Sequence, residues 1–138
     1  MRGYIMYKLF QISVPREQYD EVNKLGWSEA MERYPLVEAS QSVRMAGSEA
    51  YVTEYDAMFT HVADLDADTL EEAFRLHNFQ EEDKITRYAK QHSMSVGDIC
   101  VGEYGDVHMC DNFGWTQLMS SSVSVLENVF YANMEKVA

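Results

Sequence analysis

The stretch Phe59-Thr60-His61-Val62-Ala63-Asp64-Leu65-Asp66-Ala67-Asp68-Thr69-Leu70-Glu71-Glu72-Ala73-Phe74 decides how this chain folds. From Met58, just before it, through its first half, Met58, Thr60, Val62 and Asp64 alternate with Phe59, His61, Ala63 and Leu65, the period-two pattern of a β-strand. Its second half changes period. Leu70, Ala73, Phe74 and His77 recur at helical spacing, and Asp68 stands three residues before Glu71, the spacing of a capping box. A strand running straight into a capped helix predicts helices packed on a sheet. Asn78 and Glu81 repeat the spacing, which predicts a further helix through His92 with Ile85, Tyr88 and Ala89 on its apolar side.

Upstream, Tyr4 to Val14 reads as a strand with Tyr7, Leu9 and Gln11 on one face and Lys8, Phe10 and Ile12 on the other. Both faces are partly apolar, which predicts a central position in the sheet. Pro15 suits a first helical position; Tyr19, Val22 and Leu25 follow at helical spacing, and Gly26 offers a left-handed stop. Ser28 is placed to cap a short helix to Tyr34, ended by Pro35. This helix, glycine, helix layout is unlike a DNA-reading helix-turn-helix, because its second element is barely two turns long. It carries Arg33 beside Glu29 and Glu32, where DNA readout requires a basic face. Leu36 to Tyr55 predicts strand pieces around Ser42 to Ala46 and a loop beyond.

Downstream, Ile99 to Val101 and Val107 to Cys110 flank Glu103-Tyr104-Gly105-Asp106, the glycine chemistry of a hairpin turn. Trp115 to Met119 predicts a last short strand. Behind the cap candidates Ser120, Ser121 and Ser122, the residues Val123, Leu126, Phe130, Met134 and Val137 predict a one-sided helix over 121–137. The expected fold is a single α+β domain over 1–138, a mostly antiparallel sheet with helices packed on it and a C-terminal amphipathic helix.

At 138 residues, with 46% hydrophobic and 25% charged residues, the chain is the size and composition of one folded domain. Its formal charge of -12 repels phosphate and anionic lipid, so direct nucleic-acid or membrane binding is not expected. No stretch approaches the ~18 apolar residues of a membrane span, and the amino terminus lacks a secretory signal. A cytoplasmic protein is expected, with Met6 as an alternative start to Met1. Cys100 and Cys110 are too few for a secreted disulfide scaffold.

Several residue groups carry chemical potential. Asp64, Asp66 and Asp68 resemble the opening of a calcium loop, but Thr69 takes the place of its glycine and Arg75 that of its closing glutamate. Cys100, His108, Cys110 and His92 are zinc-donor types without a Cys-x-x-Cys knuckle. If the hairpin centres on Gly105, Cys100 lies opposite Cys110, as a cross-strand disulfide or, more simply, as two buried thiols. Ser93, Ser95, Cys100, His92 and Asp98 crowd one region, yet the signatures of the well-marked reaction classes are missing. Neither a metal, nor a cofactor, nor an enzymatic activity is expected. The nine methionines form no stripe, which predicts core filling.

Two segments resemble the YodL-like small proteins and domains of bacteriophages, plasmids and other mobile elements. One is His61 to Asn78, with its Leu-Glu-x-x-Phe helix. The other is Ser93-Met94-Ser95-Val96-Gly97-Asp98-Ile99, followed by Cys110-Asp111-Asn112-Phe113-Gly114-Trp115. The resemblance covers about residues 59–118 and implies a mobile-element origin; the group carries no assigned activity, so it supplies no catalytic residue. A tight turn explains the Ser-x-Ser-Val-Gly-Asp segment, with Ser93 or Ser95 bonding local backbone.

The expected function is that of a phage or mobile-element accessory protein acting through contact with a protein partner, as a monomer or as a homodimer joined by the C-terminal helix. One alternative is an acidic mimic of DNA that inhibits a restriction or CRISPR nuclease. Another is a small-ligand binder using residues 93–115, with Ser93, Ser95, Asp98, Asp111, Asn112 and Trp115 as candidate contacts. Much of the charge is local: between Asp64 and Asp83 stand eight acids against Arg75. Asp64, Asp66, Glu71, Glu72, Glu81, Glu82 and Asp83 form the expected acidic patch, which reads mainly as punctuation at the starts of two helices.

Overall fold

A computed structural model describes residues 6–123. Six strands pair into one antiparallel sheet: β1 (Met6–Ile12), β2 (Phe59–Asp66), β3 (Ile85–Arg87), β4 (Ile99–Val101), β5 (Val107–Cys110) and β6 (Trp115–Gln117), in the order β3-β2-β1-β4-β5-β6. β1 pairs with β2 along one edge and β4 along the other, and its two-faced pattern is explained by Leu9 entering the cluster with Ala73 and Leu76 while Phe10 and Ile12 enter the cluster with Ala39 and Val43. A register shift between Leu9 and Phe10 marks an irregularity in its ladder with β2.

Among the described residues four α-helices accompany the sheet, α1 (Arg16–Leu25), α2 (Trp27–Arg33), α3 (Pro35–Ala46) and α4 (Leu70–Asn78), of which α3 and α4 pack on it. Leu9, Val62, Leu65 and Cys100 pack with Ala73 and Leu76 of α4. Phe10, Ile12, Phe59, Ile99, Val101, Val107 and Met109 pack with Ala39 and Val43 of α3. Val22, Ala30 and Val37 form a smaller cluster that ties α1, α2 and α3 together. The domain is α+β, as the alternation of periods predicts. Burying Leu9, Leu65 and Leu76, each 0% exposed, contributes about 2 kcal/mol apiece to holding the layers together.

Local details depart from expectation. Residues 42–46 belong to α3 rather than to a strand, and Pro35 opens that helix instead of only ending its predecessor. Gly26, not Ser28, is the residue preceding α2; its N–H closes α1 on the Val22 carbonyl. Thr69, not Asp68, caps α4, accepting the Glu72 N–H at 3.1 Å. On α4 the buried residues are Ala73, Leu76 and His77, while Phe74 is exposed. No helix follows to His92. Phe79 closes α4, Gln80 takes a left-handed φ of +56°, and after one 3-10 turn at Glu82–Lys84 the chain enters β3. The expected helix over 121–137, and the homodimer built on it, lie outside the described residues beyond Val123, as does the segment before Met6.

The α4 cap is directly testable. Thr69→Ala removes the acceptor for the Glu72 amide and is expected to lower stability by about 1 kcal/mol, whereas Asp68→Ala leaves that bond intact. Denaturant unfolding of the two variants distinguishes them; an equal loss would return the cap to Asp68.

Candidate functional site

The Ser-x-Ser-Val-Gly-Asp segment forms a turn that is tied to three parts of the fold. Asn78, at the end of α4, clamps it reciprocally: its Nδ2 donates to the Met94 carbonyl at 3.0 Å and its Oδ1 accepts the Met94 N–H at 2.7 Å. Gly97 adopts φ +96° directly against Val43 of α3. Its N–H donates to the Cys110 carbonyl, and the Cys110 N–H donates to the Asp98 carbonyl, which continues the ladder between β4 and β5 into the turn.

Asp98 is the centre of this arrangement and only 4% exposed. Its Oδ2 accepts the Ser95 N–H at 3.0 Å and the Gln11 Nε2–H at 3.0 Å. Burial pushes its carboxyl up to about 7, against the two hydrogen bonds that favour the ionised form. Gln11, buried on the central strand, also donates to the His92 carbonyl at 2.9 Å and accepts the His92 N–H at 3.2 Å. The His92 ring closes the network: Nδ1 lies 2.8 Å from the Ser93 carbonyl and Nε2 3.1 Å from an Arg44 Nη2. An arginine only donates, so Nε2 accepts and Nδ1 carries the proton. Burial first, then Arg44, lowers the His92 pKa, consistent with this neutral tautomer. The space among Ile12, Ser40, Val43, Arg44, His92 and Asp98 has no room for a water molecule.

The second half of the resemblance is knotted just as tightly. Asp111 accepts from Ser48 Oγ at 2.5 Å, Thr116 Oγ1 at 2.7 Å and its neighbour Asn112 N–H at 3.1 Å. Burial opposes ionisation of this carboxyl, but the donors outweigh it and hold the pKa below the ordinary value. Gly47, at φ +60°, makes the approach possible, since a Cβ there would stand 1.9 Å from Asp111 Oδ1.

Of the six expected contact residues, Asp98 lines the narrow space beside Arg44 and His92. Asp98 is spent on a backbone N–H and the Gln11 amide, Asp111 on hydroxyl and backbone donors, and Trp115 packs half-buried against the Leu9 cluster. Ser93 and Asn112 are exposed. The turn bond expected of a serine hydroxyl is made by the Asp98 carboxylate instead, while Ser95 Oγ is buried with no partner among the described residues. Gln11, Arg44 and Asn78 were not among the expected site residues. A core-facing amide in a central strand is the one sequence signal that points to Gln11.

Cys100 stands opposite His108, and Cys110 opposite Trp115, so the cross-strand cysteine pair does not exist; both thiols are buried. The hairpin turn occupies 102–106, which brings Val101 opposite Val107 and sets the register two residues away from the expected pairing. Burial raises both thiol pKa values, Cys110 to about 11. His92 Nε2 is engaged by Arg44. Among the described residues no group of three or more His, Cys, Asp or Glu side chains is placed to hold a metal ion.

The acidic patch is largely stitched by cations. Arg75 reaches Glu81 at 2.6 Å and Glu72 at 3.3 Å, and Arg87 pairs with Glu82 at 2.5 Å. Asp64 accepts from Tyr88 Oη at 2.6 Å and lies 2.8 Å from His61 Nε2. Asp66 and Asp83 line a cleft shared with Lys84, and Glu71 is exposed. The second set of acids does not punctuate an α-helix start, because only a single 3-10 turn begins there and Glu81 makes no side-chain cap bond to it; Glu81 and Glu82 act through their arginines. No helix among the described residues is long and apolar enough to cross a membrane. Comparison of the chain with protein-family models, with curated proteins and with solved structures finds no match.

Proposed function

We propose that this chain is an accessory protein of a bacteriophage or related mobile element and acts by contact with another protein, not by catalysis. The observation that supports contact is Phe113, 97% exposed on the turn between β5 and β6. That turn is held on both sides of the ring, by the Asp111 bonds to Ser48 and Thr116 and by the Asp111 N–H to the Gly114 carbonyl at 2.8 Å. An aromatic side chain presented on a stiff support loses little entropy when a partner covers it, which is the character of an interface anchor. Tyr104, 90% exposed, and Met119, 85% exposed, stand at the other end of β5 and β6 from Phe113. The YodL-like resemblance supports the mobile-element origin.

DNA mimicry receives less support, since it requires an extended array of unpaired carboxylates and four of the seven patch acids are engaged with Arg75, Arg87, His61 and Tyr88. A ligand site within 93–115 receives less support, because the carboxylates of Asp98 and Asp111 already accept hydrogen bonds from within the fold.

Quantitative co-purification from host cells, comparing the natural chain with Phe113→Ala, tests the proposal. A partner retained in stoichiometric amount by the natural chain and weakened roughly thirtyfold in the variant is the expected result. Identical protein profiles for the two, or turnover of a metabolite by the purified chain, would overturn it.

A further inference from the structure

We infer that the cleft where the chain leaves β1 is a binding site for a small organic anion with an apolar body. This cleft has a volume of about 500 Å³ and runs between the segment Ile12 to Tyr19 and the segment Lys90 to His92. Its size is that of a pocket for a metabolite-sized ligand. Ile12, Val14 and Tyr19 give it an apolar wall, Ile12 being 4% exposed and Tyr19 40% exposed.

Charge decides the class of ligand. The chain carries 23 acids against 11 Lys and Arg, yet Arg16, Lys90 and His92 line this cleft and, among the described residues, no carboxylate does. Neither Arg16 nor Lys90 forms a salt bridge among the described residues, in contrast to Arg33, Arg75 and Arg87, each of which does. Arg44 adds a third permanent cation beside the site through its 3.1 Å contact with His92 Nε2. Two cations with no salt-bridge partner among the described residues, set over an apolar wall on a chain of net charge -12, focus a local positive potential on a bound anion.

The walls are also preorganised. Gln11 holds the backbone of His92 through both its amide oxygen and its amide nitrogen, and Gln91 Nε2 donates to the Val62 carbonyl at 2.8 Å. The segment 90–92 is therefore anchored to β1 and β2, and a ligand meets a formed wall without having to order one. The site is independent of Phe113 and of the protein contact proposed for it.

The probe for the test is 8-anilinonaphthalene-1-sulfonate, an aromatic sulfonate whose fluorescence rises on transfer to an apolar site, titrated into the full chain at low salt with stoichiometry fixed by calorimetry. Saturable binding at one site per chain is expected, weakened at least tenfold by Arg16→Glu with Lys90→Glu and unchanged by Lys24→Glu with Arg33→Glu. The second pair alters net charge equally but lies away from the cleft. N-phenyl-1-naphthylamine, the same body without the sulfonate, is expected to bind at least tenfold more weakly. Absent or non-saturable binding, equal loss in both double variants, or equal affinity for the neutral analogue would each overturn the inference.

Discussion

Gly97→Ala is expected to be among the most damaging single substitutions in the turn, lowering stability by about 3–5 kcal/mol. Two effects add. At φ +96° an alanine backbone is strained, and its Cβ would stand 2.7 Å from Val43 Cγ2 and 3.0 Å from the Val43 backbone carbon. The side-chain methyl of Val43 can shift slightly, but the backbone carbon belongs to α3, whose buried face is packed on the sheet through Ala39 and Val43. Gly105 supplies the control. It has a comparable φ of +85° with no atom within 4 Å of a built Cβ, so Gly105→Ala carries backbone strain alone and is expected to cost about 1 kcal/mol. Thermal melts of the two variants separate packing from strain: a depression of more than ~10 °C for Gly97→Ala against a few degrees for Gly105→Ala. Equal depressions would mean that the turn does not bear on α3. A partial rescue by Val43→Ala in the Gly97→Ala background, read as a coupling of about 1 kcal/mol or more, is the second signature of the contact.

That contact also shows where the sequence was legible and where it was not. Elements whose partners are close in the chain were readable. The hairpin around Gly105 and the strand-to-helix passage from Phe59 to Asn78 declare themselves by local period and turn chemistry. Helix α3 did not, because its inward face is built from Val37, Ala39, Ser40 and Val43, small or β-branched residues with a hydroxyl among them, which blur a helical stripe. The false helix toward His92 had the opposite problem. Ile85, Tyr88 and Ala89 mimic helical spacing, but only Ile85 is buried, and the free edge of β2 captures Ile85–Arg87 by backbone pairing that spacing does not encode. At the candidate site the missing information is long-range: Gln11 meets His92 and Asp98 across more than eighty residues, and no local pattern announces a three-way hydrogen-bond junction of that separation. The Gly and Asp of the turn were visible, whereas the residues that give them their roles, Val43 and Gln11, were visible only as parts of other elements.

Asp98 at that junction predicts the largest pH effect. An acid whose pKa is raised in the fold binds a proton more tightly folded than unfolded, so its ionisation opposes folding. The penalty is absent below the unfolded value of 3.8, grows as pH rises, and is complete above the folded value of about 7. A shift of this size corresponds to about 4 kcal/mol. His92 acts in the other sense: its folded pKa lies below 6.5, so its contribution is full above that value and is lost as pH falls, and the two partly cancel in the natural chain between about pH 4 and 7. Asp98→Asn isolates the carboxyl, because a carboxamide oxygen still accepts from Gln11 Nε2 and the Ser95 N–H without titrating. The stability of the variant relative to the natural chain is therefore expected to improve by several kcal/mol between pH 4 and pH 8, whatever its constant offset, since the remaining acids and His92 are common to both. Denaturant midpoints at pH 4, 6 and 8 measure that difference, and parallel profiles for the two proteins would show that Asp98 is ionised at no cost in the fold. The direction carries a structural meaning. At neutral pH the junction of β1, the 92–98 segment and α3 stands close to a protonation boundary, and the Ser95 N–H and the Gln11 amide together make an ionised carboxylate tolerable there, the Gln11 amide also holding His92 in place.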